Sequence, residues 1–324
     1  MGQKESVQRI IGEPRPLERS SFPRNKDVRY EKLEVTDPKL VEWANANYTV
    51  QSYPGGEYQN NGSSYVYTAG KTLRIKDEPV MDTCEGPWCQ DTIRNLFEGI
   101  KGARRDLRSE YEAPRILELG YGLGVTSLEL LRGLDSGVVN PGPRGGEYTV
   151  VELNEKIARF AEKTVGDRIK RLRALDTDQE GKIQATVVQG DAYDALEKMV
   201  GQIKTGARKP FDGIVSDLYD PEQSDGTTDL KRMDLMREAL ADNGFFTFFV
   251  YHNKSSASGV NRVQESLLED HGFAFRMSTA NVNPNPNYEY LFHETSAGLK
   301  PVRRLTTITA WKESGATASN SAAK

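Results

Sequence analysis

The sequence has little of what membrane-spanning, disulfide-rich or metal-binding proteins require. None of its apolar runs approaches the roughly 20 residues of a membrane span, and the N-terminal M-G-Q-K-E-S lacks the apolar stretch of a signal peptide. It has 2 cysteines, Cys84 and Cys89, and 3 histidines, none of them clustered, which argues against a disulfide framework or a metal site. We therefore expect a cytoplasmic protein with no bound metal.

A surplus of positive charge is also missing. Lysine and arginine number 43 against 47 aspartates and glutamates, which gives a net charge of -4 and a pI near 5.7. Such a balance offers no broad basic surface for nucleic acid and suits a small cationic ligand. The N-terminus fits the loose pattern for N-myristoylation, but no other feature indicates membrane attachment, so we expect neither nucleic acid nor membrane as a partner.

The 324 residues divide into three parts by composition. Residues 1–72 form an N-terminal extension, polar over its first 40 or so residues and then rich in tyrosine, threonine and valine. This second stretch predicts short strands or an ordered loop. Its aromatic side chains require cover from the main domain, from the substrate pocket, where the stretch would act as a lid, or from a second subunit in a homodimer. Residues 73–313 form the main domain, and residues 314–324 are predicted to be a disordered tail.

The most informative stretch is Arg115–Leu131, R-I-L-E-L-G-Y-G-L-G-V-T-S-L-E-L-L, which predicts a strand, a tight turn and a helix. Alternate glycines let a ligand approach backbone N–H groups at the positive end of the helix. Glu118 before the turn would repel a phosphate, and the spacing differs from the dinucleotide pattern G-x-G-x-x-G. The pattern E-x-G-x-G-x-G instead resembles the first motif of S-adenosylmethionine-dependent methyltransferases of the seven-stranded class. The turn residues that would bind the cofactor are Gly120, Tyr121 and Gly122.

Apolar strand patterns alternate with helical patterns through the rest of the main domain. Further strands are predicted at 148–153, 185–188, 211–216 and 245–251, with two more near 273–277 and 306–311. This alternation predicts an α/β fold with a doubly wound, mostly parallel, seven-stranded sheet.

Acidic residues recur at the ends of the first three strands of the main domain, counting the strand before the glycine turn as the first. Ligands of such sheets bind outside the carboxyl ends of the strands. Glu152, at the end of the second strand, can accept hydrogen bonds from both hydroxyls of a ribose. Asp191, followed by Ala192, comes after the third strand and is placed to accept from the exocyclic amine of adenine. Together with Glu118 they predict S-adenosylmethionine as the cofactor.

The end of the fourth strand indicates the acceptor. The sequence F-D-G-I-V-S-D-L-Y-D-P brings Asp217 to the lip of the sheet, with Tyr219 next in the loop. A carboxylate matches the planar fork of N–H donors on a guanidino group. The sequence therefore favours a cationic or guanidino acceptor.

A longer resemblance begins upstream, at Leu73–Trp88, L-R-I-K-D-E-P-V-M-D-T-C-E-G-P-W. This segment is similar to the one that precedes the first motif in guanidinoacetate N-methyltransferases, and the similarity extends to about residue 244. The resemblance implies that Glu85 and Asp217 hold the guanidino group, beside Tyr219, while Met81 lines the cofactor. It also implies that Glu152 holds the ribose.

The chain departs from that family in ways that bear on the acceptor. Gly124 stands where a small non-glycine residue is expected, Gly86 replaces a threonine, and the N-terminal segment and several loops are longer. A larger acceptor is therefore expected, such as free arginine, another guanidino compound or an arginine within a protein.

Two other classes compete with this interpretation. A polyamine aminopropyltransferase has a similar sheet and also places aspartates after the fourth strand, but it leaves the P-V-M and E-G-P segment unexplained. A non-catalytic relative would keep the fold without the activity. The retention of carboxylates at each site position argues against this alternative.

Overall fold

The computed structural model describes residues 15–16, 25–60, 63–75, 78–106, 113–136, 145–175, 183–218, 232–250, 262–282, 292–295, 298–301 and 304–312. The helices are α1 (Pro38–Ala44), α2 (Gly86–Asp106), α3 (Val125–Asp135), α4 (Glu155–Leu175), α5 (Ala192–Lys204), α6 (Met233–Ala239) and α7 (Arg262–Asp270). The strands are β1 (Arg15–Pro16), β2 (Val28–Lys32), β3 (Tyr48–Tyr53), β4 (Gly56–Asn60), β5 (Ser63–Tyr67), β6 (Gly70–Ile75), β7 (Glu78–Asp82), β8 (Arg115–Leu119), β9 (Gly146–Glu152), β10 (Ile183–Gln189), β11 (Phe211–Ser216), β12 (Leu240–Val250), β13 (Phe273–Asn281), β14 (Phe292–Thr295), β15 (Gly298–Pro301) and β16 (Arg304–Lys312).

An eight-stranded sheet in the order β13-β16-β12-β11-β8-β9-β10-β2 forms the centre of the fold. Neighbours from β12 to β2 are parallel, whereas β16 is antiparallel to both β12 and β13. Seven of these strands confirm the predicted doubly wound, mostly parallel α/β sheet. The strand order reverses between β8 and β11, which is where open sheets of this kind bind ligands.

The eighth strand, β2, comes from the stretch predicted to be a polar arm. It pairs in parallel with β10, with Val28 opposite Ala185. Val28 is buried, and the Tyr30 hydroxyl donates to Gln189 Oε1 at 3.1 Å. Part of the N-terminal extension thus completes the edge of the main sheet, because backbone pairing with β10 compensates for its few apolar residues.

Helices cover both faces of the sheet, and each face has its own hydrophobic cluster. One cluster joins apolar residues of α2, α3 and α4 to strands β8, β9 and β10. The other joins α5, α6 and α7 to the opposite face of the same sheet. Strand β8 runs between the two clusters, with Ile116 in the first and Leu117 in the second, both fully buried. This sandwiching explains why β8 reads as a nearly continuous apolar run.

The tyrosine-rich part of the N-terminal extension forms strands, as predicted. Strands β1, β3, β6 and β7 make a four-stranded antiparallel sheet, and β4 and β5 form a hairpin. The buried carboxylate of Asp82 ties this sheet together, since it accepts hydrogen bonds from the Tyr53 hydroxyl at 2.5 Å, the Thr72 hydroxyl at 2.5 Å and the Cys84 N–H at 2.8 Å. The role of this tyrosine-rich stretch as a lid or a subunit contact stays a prediction. The predicted tail at 314–324 lies outside the described residues.

Asn154, two residues after β9, anchors the end of α1 to the main domain. Its side-chain Nδ2 lies 3.0–3.1 Å from the carbonyl oxygens of Trp43, Ala44 and Ala46. Its Oδ1 accepts from the backbone N–H of Lys156 at 3.0 Å, at the start of α4. The side chain is fully buried, and its two N–H donors are shared among the three carbonyl groups, of which that of Trp43 also accepts from the Ala46 N–H.

We expect Asn154→Ala to lower the free energy of unfolding by about 2–4 kcal/mol, because it removes a helix cap and the side-chain donor to the carbonyl of the buried Ala44. Urea denaturation measures the loss. Asn45→Ala is the matched control, since Asn45 Nδ2 donates to the Val41 carbonyl at 2.8 Å at an exposed position, and its loss costs about 1 kcal/mol or less. Equal effects of the two substitutions would contradict the anchor.

Candidate functional site

The first part of the site is a close contact between the glycine turn and the end of β11. The register places Leu119 opposite Ser216, and the Asp217 N–H donates to the Leu119 carbonyl at 2.8 Å. Gly120 has a φ of 86°, and a Cβ atom there would lie 2.3 Å from the Asp217 carbonyl oxygen. Only glycine fits both this backbone conformation and this approach, so the turn and Asp217 meet at the switch point.

The other two glycines of the turn are also required by their surroundings. Gly122 and Gly124 have φ values of 52° and 73°. A Cβ atom on Gly122 would lie 2.7 Å from Met81 Sδ, and one on Gly124 would lie 2.5 Å from the Tyr121 hydroxyl oxygen. Met81 Sδ also accepts from the Leu123 N–H at 3.1 Å. Met81 therefore lies against the turn, and Gly124 is needed because the buried Tyr121 ring packs over it.

Glu152 links the turn to the end of β9. Its Oε2 accepts from the Tyr121 N–H at 3.1 Å and is 3.5 Å from the Gly122 nitrogen, and its Oε1 accepts from the Asn154 N–H at 2.8 Å. Burial raises the pKa of Glu152, while these backbone N–H groups lower it. Burial and, to a smaller extent, the Glu152 charge raise the pKa of the Tyr48 phenol. The carboxyl group is thus held at the strand end, between the turn and the N-terminal extension.

Glu118 is fully buried under the turn, on the side of α3 and β9. Its Oε2 accepts hydrogen bonds from the Ser127 hydroxyl at 2.6 Å and from the Tyr148 hydroxyl, whereas Oε1 has no hydrogen-bond partner in the described part of the chain. Burial raises the pKa of Glu118 to about 8, with smaller raising effects from Asp217 and Glu152. The carboxyl group is therefore mostly protonated at pH 7 in this arrangement.

Asp191 begins helix α5 at the end of β10. Its Oδ1 accepts from the backbone N–H groups of Tyr193 and Asp194, both at 2.9 Å, as expected of an N-cap aspartate. Ala192 is buried beside it. One carboxylate oxygen of Asp191 thus serves the helix, and a contact with adenine would fall to the other.

Glu85 and Asp217 approach a common point although they are far apart in sequence. Glu85 ends a short 3-10 turn, Thr83–Glu85, capped by Asp82, and is buried. Both Glu85 and Asp217 raise the pKa of the Cys89 thiol, after the larger effect of its burial. Glu85 precedes Cys89 by four residues at the start of α2, and Thr126 lies 3.4 Å from both Cys89 Sγ and Asp217 Oδ2. Two carboxyl groups from different elements therefore lie in the neighbourhood of Cys89, close to the start of α3. Tyr219, the third predicted catalytic residue, lies outside the described residues.

Several polar residues around the site were not predicted from the sequence. They are Ser127 and Tyr148, which contact Glu118; Asn154, which contacts Glu152; and Cys89 and Thr126, beside Asp217. The sequence pattern could have identified two of them, because Thr126 and Ser127 are polar residues between the apolar Val125 and Leu128 in the first turn of α3. The others are joined to the site only by the packing of α2 and the pairing of β8 with β9.

Within the described ranges, no group of three or more histidine, cysteine or acidic side chains could hold a metal ion. None of the described helices is long and apolar enough to cross a membrane.

No protein-family model matches the chain, and no curated protein sequence matches it. Solved structures match it at low identity. Precorrin-6y C5,15-methyltransferase from Geobacter metallireducens is 17% identical, with 66% of this chain and 87% of that chain covered and a TM-score of 0.37. MNMC2 from Aquifex aeolicus is 16% identical, with 80% and 70% covered and a TM-score of 0.42. A putative SAM-dependent methyltransferase from Streptococcus mutans is 11% identical, with 79% and 56% covered and a TM-score of 0.38.

We expect the stability of Glu118→Gln relative to the wild type to rise with pH. With a native pKa of about 8 against an ordinary glutamate value of 4.5, the native wild type binds up to one more proton than the unfolded chain between these values. Its stability therefore falls as pH rises through this window, by up to about 1.4 kcal/mol per pH unit from this group. Glutamine does not titrate and keeps an acceptor for Ser127 and Tyr148. Urea denaturation of both proteins from pH 5 to 9 tests this, and a pH-independent difference would contradict the raised pKa.

Proposed function

We propose that the chain is an S-adenosylmethionine-dependent methyltransferase that methylates a guanidino nitrogen of a small molecule. The observation that carries the proposal is the placement of two acidic residues beside the glycine turn at the switch point of the sheet: Asp217, whose carbonyl abuts Gly120, and the buried Glu85, four residues before Cys89, which Thr126 joins to Asp217. A pair of carboxylates at that place is suited to a guanidinium group, whose charge and parallel N–H donors they match.

The turn and its surroundings fit the cofactor. Three glycines with positive φ leave positions 120, 122 and 124 of the turn without side chains. Glu152 already directs its oxygens toward backbone N–H groups of the turn, so a ribose seated there would find a fixed acceptor for its hydroxyls. Met81 would line the cofactor, and Asp191 with Ala192 would border the adenine. When bound, S-adenosylmethionine supplies an electrophilic methyl group carried on a sulfonium cation.

The acceptor requires help from the protein because a guanidinium group has a pKa above about 12 and, when protonated, has no lone pair for attack. Glu85 and Asp217 would orient the group and take up its proton as the new N–C bond forms. Holding nitrogen and methyl group in line lowers the barrier by up to about 7–11 kcal/mol in intramolecular reactions. Neither a metal nor a covalent intermediate is needed for this chemistry.

The proposed acceptors are arginine, guanidinoacetate or a related guanidino compound, and an arginine within a protein is the macromolecular alternative. An aminopropyltransferase differs from a methyltransferase in its donor, which is decarboxylated S-adenosylmethionine, and in its acceptor, which is a polyamine. Incubation of the protein with labelled S-adenosylmethionine and a panel of guanidino compounds, polyamines and arginine-containing peptides should give labelled product only from guanidino compounds. Turnover only with decarboxylated S-adenosylmethionine and a polyamine would overturn the proposal.

Glu152→Ala should weaken cofactor binding, because it removes the acceptor for two ribose hydroxyls, at about 1.5–3 kcal/mol for each charge-assisted hydrogen bond. Calorimetric titration with S-adenosylmethionine and with S-adenosylhomocysteine measures the change. Glu147→Ala, at the exposed start of the same strand, is the control and should bind normally. Unchanged affinity in Glu152→Ala would exclude the assigned role, and the melting temperature shows whether the variant is folded.

Glu85→Gln and Asp217→Asn should each reduce turnover by about 10²–10⁴-fold, the range measured when a general base is lost, because the amides keep the shape but not the negative charge. Their effects should be non-additive in the double variant, since both act on one group. Steady-state kinetics and melting temperatures of the three variants provide the test. Glu98→Gln, on an exposed position of α2, should turn over normally. Near-normal turnover in either single variant would refute the carboxylate pair.

A further inference from the structure

Thr126, the second residue of α3, is a fully buried polar residue between two other polar groups. Its Oγ1 lies 3.4 Å from Asp217 Oδ2 and 3.4 Å from Cys89 Sγ. A hydroxyl buried in this way requires hydrogen-bond partners, and these two come from different elements, the loop after β11 and helix α2. The three side chains thus form a row from α2 to the lip of the sheet.

The protonation of these groups sets the direction of the hydrogen bonds. A hydroxyl has a single hydrogen, so Thr126 can donate to only one of its two neighbours. Burial, together with the charges of Asp217 and Glu85, raises the pKa of the Cys89 thiol well above its ordinary value, so the thiol keeps its hydrogen. The consistent arrangement is donation from the Cys89 S–H to Thr126 Oγ1 and from the Thr126 O–H to the Asp217 carboxylate.

We propose that Thr126 is a positioning residue that holds the Asp217 carboxylate toward the acceptor, with Cys89 orienting the Thr126 hydroxyl from behind. The inference rests on the proposed function, in which Asp217 is one of the two carboxylates that bind the guanidino group. The backbone of Asp217 is held by its hydrogen bond to Leu119 and its contact with Gly120. Thr126 adds a contact to the side chain, which is the part that must face the acceptor.

The 3.4 Å separation is long for an O–H···O hydrogen bond. Hydrogen bonds of catalytic groups are often long in the free enzyme and shorten when substrate binds. The effect of Thr126 should therefore be expressed on turnover with the acceptor bound, with little effect on the affinity for the cofactor.

The test compares Thr126→Val, which keeps the shape and loses the hydroxyl, with Thr126→Ser, which keeps the hydroxyl. Thr126→Val should lower kcat by about 10- to 100-fold, the range for one lost hydrogen bond to a charged group. Thr126→Ser should restore kcat to within about threefold of the wild type, a difference below the free energy of one hydrogen bond. Calorimetric affinity for S-adenosylmethionine should be unchanged in both. In an Asp217→Ala background, Thr126→Val should have no further effect on turnover.

Crystal structures of the two variants provide a readout that needs no substrate. The Asp217 side chain should keep its position in Thr126→Ser and leave it in Thr126→Val. If the wild type methylates no guanidino compound, the proposed function fails, and these structures still decide the role of Thr126. An Asp217 carboxylate in the same place in both variants would overturn the proposal, as would equal loss of turnover in Thr126→Val and Thr126→Ser.

Discussion

The approach of the Asp217 carbonyl to Gly120 is the contact on which the rest of the site depends. It exists because β8 and β11 pair in parallel with Leu119 opposite Ser216, so both chains leave the sheet side by side. A side chain at position 120 would separate them. The glycine at position 120 therefore lets the end of β11 come close to the turn.

Around this contact the fold places acidic groups with little exposure to water. Glu118, Glu152 and Glu85 are all buried, and Asp217 is half-buried. Burying carboxyl groups in this way has an energetic cost, which is visible in the raised pKa values of Glu118 and Glu152. A cationic ligand would offset that cost by stabilising the charged forms, and the proposed sulfonium donor and guanidinium acceptor are both cations.

The N-terminal extension is part of this arrangement and not an appendage to it. Strand β2 completes the main sheet, and Asn154 holds the end of α1 close to Glu152. Met81 is in β7, the main-domain strand that joins the small sheet of the extension, and it lies against the turn. Each of these contacts joins a residue before position 82 to one beyond position 120. The extension and the main domain consequently meet at the site itself.

The sequence by itself determined the alternation of strands and helices, the glycine turn and the acidic residues that end β8 and β9, because local periodicity and turn chemistry are written in neighbouring residues. It did not determine that residues 28–32 are an edge strand, since their pairing with β10 involves a partner more than 150 positions away and few apolar residues mark them.

Tertiary structure alone decided which side chains surround each carboxyl group. Ser127 and Tyr148 beside Glu118, and Thr126 and Cys89 beside Asp217, are ordinary residues in their own segments. They become part of the site because α2 and α3 pack on one face of the sheet, over the ends of β8 and β11. The chemistry of a carboxyl group is set by burial and neighbours, and those are properties of the packed fold.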